Sequence, residues 1–287
     1  MGSKSKIAKK IVGLLPSAEN FYDLFAGGCA ITHCVILQSN SLFPKWKNFI
    51  VNDLTNAPQL FIDAIKGKYK NEKRFITRKQ FKAEMAKPLN EQDPYIKYIW
   101  SFGNNGQNYL FGRDVEKIKH KAHIYLMKNG YDGTVKKRIE LLKLFKNDYK
   151  IDNRLELQQL ERLQQLERLQ QLQQLQQLQQ LQQLQQLQQL QQFKKDYKDV
   201  SIKPNSVIYC DPPYQDVGKY DGQSIDYNEF WQWCLNQKNP IYVSSYKIPN
   251  EYSDKFKIVG EWLKRTTLQG GNNKRENHPT EKLYRLI

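Results

Sequence analysis

The run Phe21-Tyr22-Asp23-Leu24-Phe25-Ala26-Gly27-Gly28-Cys29-Ala30 passes from an apolar, aromatic pentapeptide through two glycines into the apolar stretch Ile31 to Leu37. This order predicts a short buried strand, a glycine turn and a helix, the opening unit of an α/β domain. Glycine at the turn lets the backbone approach a ligand closely, and the amino terminus of the helix beyond it favours a carboxylate. A second predicted strand, Asn48 to Val51, ends in Asn52-Asp53. A carboxylate at the end of the second strand suits the two hydroxyls of a ribose. Many α/β proteins use a glycine turn only to pack a helix on a strand, so Asp53 and the segment downstream are what make this one specific.

Downstream, the apolar strand Val207-Ile208-Tyr209-Cys210 stops at Asp211-Pro212-Pro213-Tyr214. Two prolines fix φ and supply no N–H, so the segment neither continues a central strand nor enters a helix, and its carbonyls stay available at the strand's carboxyl end. Open α/β sheets bind ligands at that edge. Asp211 can accept a hydrogen bond from one N–H of an exocyclic amino group, a proline carbonyl such as that of Pro212 one from the other, and Tyr214 can stack on the ring that carries it. The arrangement fits a planar base with an amino group. The bland alternative is a strand followed by a Pro-Pro turn.

With these residues in view, the chain resembles the Dam-like (D12 class) S-adenosylmethionine-dependent DNA adenine-N(6) methyltransferases. Ser3-Lys4 through Leu15-Pro16 is similar to the family's amino-terminal motif, Asp23 to Gly28 to its cofactor loop, Asn52-Asp53-Leu54 to its ribose-binding acid, and Asp211 to Tyr214 to its catalytic tetrad. The resemblance implies S-adenosylmethionine as cofactor, held by Lys4, Asp23, Phe25, Ala26, Gly27, Gly28, Asp53, Asp196, Tyr197 and Asp211. Catalysis would rest with Asp211, Pro212, Pro213 and Tyr214. Val243 to Tyr246 looks like the strand after the catalytic one, and Arg265 to Leu283 like the closing hairpin. Cys29 stands where the family's glycine pattern ends in a third glycine, so its side chain has to tuck away from the cofactor.

The implied fold is α/β: a Rossmann-like methyltransferase sheet from residues 1–68 and 193–287, an inserted, mostly helical target-recognition domain over 69–153, and a Leu-Gln-Gln helical repeat over 154–192. From Leu157 to Gln192 the repeat is an unbroken series of Leu-Gln-Gln and Leu-Glu-Arg triplets. A period of three matches neither the ~3.6 residues of a straight helix nor the ~3.5 of a coiled coil, so each leucine is displaced by about −60° from the last and no face persists. The near-copies Phe145-Lys146-Asn147-Asp148-Tyr149-Lys150 and Phe193-Lys194-Lys195-Asp196-Tyr197-Lys198 flank it. A tolerated spacer is favoured over a dimerising or DNA-spanning arm.

The chain carries 45 basic and 29 acidic residues, a formal charge of +16, as suits a protein that neutralises phosphates. Basic clusters at Lys117-Ile118-Lys119-His120-Lys121 and Lys136-Lys137-Arg138 lie among aromatic residues, a mixture that suits nucleic acid. The expected partner is double-stranded DNA. The resemblance implies DNA contacts in this region, where Asn104, Asn105, Gln107 and Asn108 are candidate base readers, because Asn and Gln pair bidentately with adenine; a structural loop is the equal alternative for any single asparagine. Lys274 and Arg275 are candidate phosphate contacts. No long apolar run, secretory pattern or myristoylation signal is present, so a membrane span is not expected and the cytoplasm of a bacterium or phage-infected cell is. Cys29, Cys34, Cys210 and Cys234 lack metal-ligand spacing, as do His33, His120, His123 and His278, so no metal is expected. A monomer is favoured, and a paired restriction enzyme is an open possibility. Two other functional readings stay open: a catalytically decayed, DNA-binding methyltransferase fold, and amino methylation of cytosine-N(4) or of RNA.

Overall fold

The computed structural model describes residues 4–39, 43–130, 189–213, 225–263 and 280–287. Its strands are β1 (Asn20–Asp23), β2 (Asn48–Asn52), β3 (Leu190–Phe193), β4 (Ser206–Cys210), β5 (Ile241–Ser245), β6 (Phe256–Leu263) and β7 (Thr280–Leu286). Among the described residues they form one seven-stranded sheet in the order β3-β2-β1-β4-β5-β7-β6. From β3 through β2, β1 and β4 to β5 adjacent strands run parallel, while β7 lies antiparallel to β5 and to β6. Every residue of β1 and β4 is buried, as expected where helices cover both faces of a parallel sheet. This mixed α/β architecture is compatible with a methyltransferase fold.

Strand order reverses between β1 and β4, and the carboxyl ends of strands at such a switch point are where open α/β sheets take ligands. Asp23 ends β1 and Asp211 follows β4, so the topology brings both carboxylates to that edge. The strands begin one residue earlier than their apolar runs, at Asn20 and Ser206. Both are buried and satisfied: Asn20 accepts from Asn48 at 2.9 Å, and the Ser206 hydroxyl donates to the Lys203 carbonyl at 2.6 Å.

Helices α1 (Ala8–Leu14) and α2 (Ala30–Ser39) belong to the same unit as the sheet, which comprises Gly2–Phe61 and Leu184–Ile287. Gly260 permits a close approach there, because a Cβ on it would come within 2.6 Å of the Trp262 ring and 2.9 Å of Leu14 in α1. Helix α3 (Ala57–Ile65) follows β2. The second unit, Ile62–Gln183, is described as far as Gly130. It contains α4 (Arg78–Met85), a π-helical turn at Tyr95–Ile99, and α5 (Glu116–Asn129). Thr77 and Gln80 close a reciprocal capping box on α4. Phe75, Trp100, Phe111 and His123 pack edge-on or stacked around one another, and His123 Nε2 meets the Lys73 carbonyl at 2.7 Å. Back in the sheet unit, α6 (Tyr227–Leu235) is capped by Asp226, whose Oδ1 accepts from the Glu229 N–H at 3.0 Å. Its buried Phe230, Trp231 and Cys234 join Tyr22, Ile208, Ile241 and Val243 in the core.

The end of the triplet repeat departs from expectation. Leu190-Gln191-Gln192 is not helical but forms β3 with Phe193, pairing Leu190 with Phe49 and Phe193 with Asn52. The sheet therefore starts three residues before the boundary expected at Phe193. A stripe that rotates around a helix holds no tertiary contact, whereas the open edge of β2 offers a ladder of backbone hydrogen bonds that needs little from the side chains. Residues 154–188, Lys136-Lys137-Arg138 and the hexapeptide at 145–150 lie outside the described residues.

Candidate active site

After β1 the chain turns through Ala26-Gly27-Gly28 into α2. Gly27 has φ of 48°, and a Cβ at Gly27 or Gly28 would meet nothing within 4 Å. The turn is thus a backbone cradle with open space beside it. Cys29 also sits in the left-handed region, at φ of 58°, and is fully buried. Its thiol donates weakly toward the Gly27 carbonyl at 4.0 Å. Burial, reinforced by the charges of Asp23 and Asp53, pushes the thiol well above its ordinary range, so it stays protonated.

Asp53, just past β2, reaches back to this turn. Its Oδ2 accepts from the Gly27 N–H at 2.7 Å, while Oδ1 accepts from the Thr55 N–H at 2.8 Å and the Thr55 hydroxyl at 2.7 Å. Asn52, buried beside it, donates to the carbonyls of Leu24 at 3.2 Å and Lys195 at 3.0 Å, and accepts from the Lys195 N–H at 3.0 Å. One side-chain amide thereby ties the end of β2 to the segments that follow β1 and β3. The Ala26 N–H donates to the Asn52 carbonyl at 3.0 Å and completes the link.

Asp23 is 1% exposed. Its Oδ2 accepts from the Thr32 hydroxyl at 2.6 Å, but its Oδ1 is buried without a partner. Burial, with smaller contributions from the charges of Asp211 and Asp53, pushes this carboxyl up to about 7 against the opposing hydrogen bond from Thr32. A buried carboxyl with an orphaned oxygen, beside an open glycine cradle and two further acids, fits a cationic ligand.

Asp211 carries the other half of the site. Lys4 donates from Nζ to its Oδ1 at 2.8 Å and lies 3.3 Å from Glu281 Oε1. Burial works against the Lys4 ammonium, but the charges of Asp211 and Glu281 outweigh it and hold the pKa above the ordinary lysine value. The Pro213 carbonyl accepts from the Tyr227 hydroxyl, which anchors the Pro-Pro turn to α6. Beneath it, the Tyr209 hydroxyl and Ser244 Oγ are 2.8 Å apart across β4 and β5.

Phe25 packs on Tyr197 and Phe230 with ring centroids 5.3 and 5.7 Å away. Tyr197 is buried with no partner for its hydroxyl, while Asp196 accepts from the Lys198 N–H at 3.1 Å and caps the short 3₁₀ turn Tyr197–Asp199.

Among the expected DNA contacts, the Asn104 amide donates to the Tyr98 carbonyl at 2.8 Å. Asn105 Oδ1 accepts from the N–H groups of Gln107 at 2.9 Å and Asn108 at 3.1 Å. These two side chains shape their own loop, whereas Gln107 and Asn108 are exposed. Tyr214, Lys274 and Arg275 lie outside the described residues.

Three site residues escape a reading of the sequence alone. Thr32 is a lone polar residue in an apolar helix, Asn52 is hidden by the acid that follows it, and Glu281 alternates with Leu283 on the buried face of β7. An acid at an inward-facing strand position is the signal that was available for Glu281. Among curated proteins, none matches the chain. The family described as D12 class N6 adenine-specific DNA methyltransferase matches residues 1–284. Nearly the whole length is covered, and the chain belongs to the D12 class N6 adenine-specific DNA methyltransferase family.

Proposed function

We propose that adenine-N6 methylation, the activity of this family, is carried out here on a base flipped out of duplex DNA, with S-adenosylmethionine bound in the cradle at Gly27 and Gly28. The observation that carries this reading is the convergence of Asp23, Asp53 and the Lys4–Asp211 pair on the switch point of the sheet. The residues fit the cofactor: the orphaned Asp23 oxygen and the excess of carboxylates suit its cationic portion, and Asp53 directly follows the second strand, a place that suits a ribose. Phe25 and Tyr197 supply an aromatic wall, with Asp196 at its margin. The cofactor supplies the methyl group.

The chain's own residues do the rest. An adenine amino group stacked in a duplex is out of reach, so extrusion precedes chemistry. Asp211 and the Pro212 carbonyl each accept a hydrogen bond from one N–H of the amino group, and Tyr214 stacks on the ring. Lys4 fixes the rotation of the Asp211 carboxylate before substrate arrives, which is preorganisation rather than proton transfer. As positive charge develops on the amino nitrogen, the carboxylate stabilises it. No general base is required beforehand. The unit containing Gln107, Asn108 and α5 is assigned target recognition, with Lys274 and Arg275 on phosphates, and the enzyme works in the cytoplasm.

Modification-sensitive sequencing of DNA from cells expressing the chain tests this directly. Methylated adenine in one short sequence context is expected. Methylated cytosine, or modification of RNA alone, would overturn the base assignment.

A further inference from the structure

We infer that Glu281 is a positioning residue for the methyl-transfer reaction, acting on Asp211 through Lys4. The inference rests on the reading of Asp211 as the acceptor for the substrate amino group.

The fold explains how a residue near the end of the chain reaches the site. Because β7 is antiparallel to β5, its first residues lie level with the carboxyl end of β5, where Lys282 pairs with Ser245. Glu281 therefore stands at the same sheet edge as Asp211. It is almost wholly buried, as is Lys4, and the ammonium bridges the two carboxylates at 2.8 Å to Asp211 and 3.3 Å to Glu281. A buried acid in a strand is costly unless it is paired. The structure places the pairing lysine on the residue that contacts substrate.

Two consequences follow for the chemistry. An ammonium facing Asp211 alone would form a neutral pair, and a neutralised carboxylate is a weaker acceptor for a nitrogen that is becoming positive. With Glu281 present, the three groups sum to one negative charge, so Lys4 orients Asp211 without cancelling its field. Glu281 also keeps Lys4 protonated, because burial alone would lower its pKa. The other titratable groups coupled to these carboxylates are Asp23 and Cys210, which feel Asp211, and Tyr209, which feels both Asp211 and Glu281. Tyr209 is pushed well above its ordinary range, chiefly by burial, and stays neutral.

The test uses the full chain, with tritiated methyl transfer to DNA carrying its methylation site and calorimetry with S-adenosylhomocysteine to confirm folding. Glu281→Gln keeps the shape and removes the charge. Its kcat is expected to fall about tenfold, with KM for DNA and cofactor within about threefold, and the alkaline limb of kcat is expected to move to lower pH. Glu281→Asp keeps the charge, so its alkaline limb stays in place. The double variant Lys4→Ala/Glu281→Gln is expected to be no worse than Lys4→Ala alone, since one residue acts through the other. A Gln variant with wild-type kcat and an unmoved limb overturns the inference, and so does strict additivity in the double variant. If Glu281→Gln does not fold, a shifted limb in Glu281→Asp overturns it and an unmoved one supports it. Asp211→Asn in the same assay separates the two levels: if it stays active, the reading of Asp211 falls. If it is inactive while the Glu281 variants behave as wild type, only the inference falls.

Discussion

A carboxyl that is buried, holds one hydrogen bond and leaves its second oxygen unmet destabilises the empty site. For Asp23 the sign is fixed by its raised pKa: the unfolded chain releases this proton near 3.8, and the folded protein holds it until about 7. The folded state binds more protons across that window, so stability is greatest below it and declines as pH rises through it. A cationic ligand prefers the ionised form, so its affinity is expected to rise over the same window. Thermal unfolding and calorimetry with S-adenosylhomocysteine between about pH 5 and pH 8 should show both slopes, and Asp23→Asn should flatten them. Persistence of both slopes in the Asn variant would assign them elsewhere. Cys29 tells a related story. A non-glycine residue in the left-handed region costs about 1 kcal/mol, so Cys29→Gly should be the more stable of two truncations, ahead of Cys29→Ala by about that amount in urea unfolding. Ordinarily alanine is favoured over glycine, which makes the order diagnostic.

Among elements, legibility followed range. The strand and turn at Asp23 to Gly28, and the strand that ends before Asp211, were readable because each is spelled by neighbouring residues. The Lys4–Glu281 pair was not, because no local pattern connects residues so far apart in sequence. Strand β3 was hidden for another reason: Leu and Gln both favour helix, and only the free edge of β2 selects the extended form. Asn52 makes that edge part of the site. Asn52→Ala strands the Lys195 N–H and the carbonyls of Lys195 and Leu24, so a loss of about 2 kcal/mol in stability is expected by chemical denaturation, with weaker cofactor binding. Full retention of both would show that water replaces the amide. The repeat behaves differently. Deleting Leu169 to Gln186, six whole triplets, is expected to preserve activity and site specificity, because shortening a connection changes closure entropy by at most about 1 kcal/mol. A variant that folds and binds cofactor but no longer methylates would make the repeat a working part.

For the whole molecule the dominant quantity is charge. With +16 formal charges, binding to DNA should release condensed counterions. A log–log plot of DNA affinity against salt is expected to be linear with a slope steeper than about −4, since each neutralised phosphate contributes about −0.9. Binding of S-adenosylhomocysteine should change far less over the same range. A shallow DNA slope would mean that the basic residues are merely solvated. The same experiment with Asp53→Ala should weaken cofactor binding and leave the DNA slope unchanged, because that carboxylate faces the glycine turn.

Strand β3 carries one more implication, which belongs to heredity rather than to mechanics. Its Leu190-Gln191-Gln192 is the last of a series of interchangeable triplets, followed by Phe193, which fixes the register against Asn52. If a copying error removes or adds a Leu-Gln-Gln triplet anywhere in the uninterrupted run, the residues placed before Phe193 are again Leu-Gln-Gln. The edge of the sheet is thus spelled identically in long and short alleles. A change of length by whole triplets would leave the residues of β3 as they are.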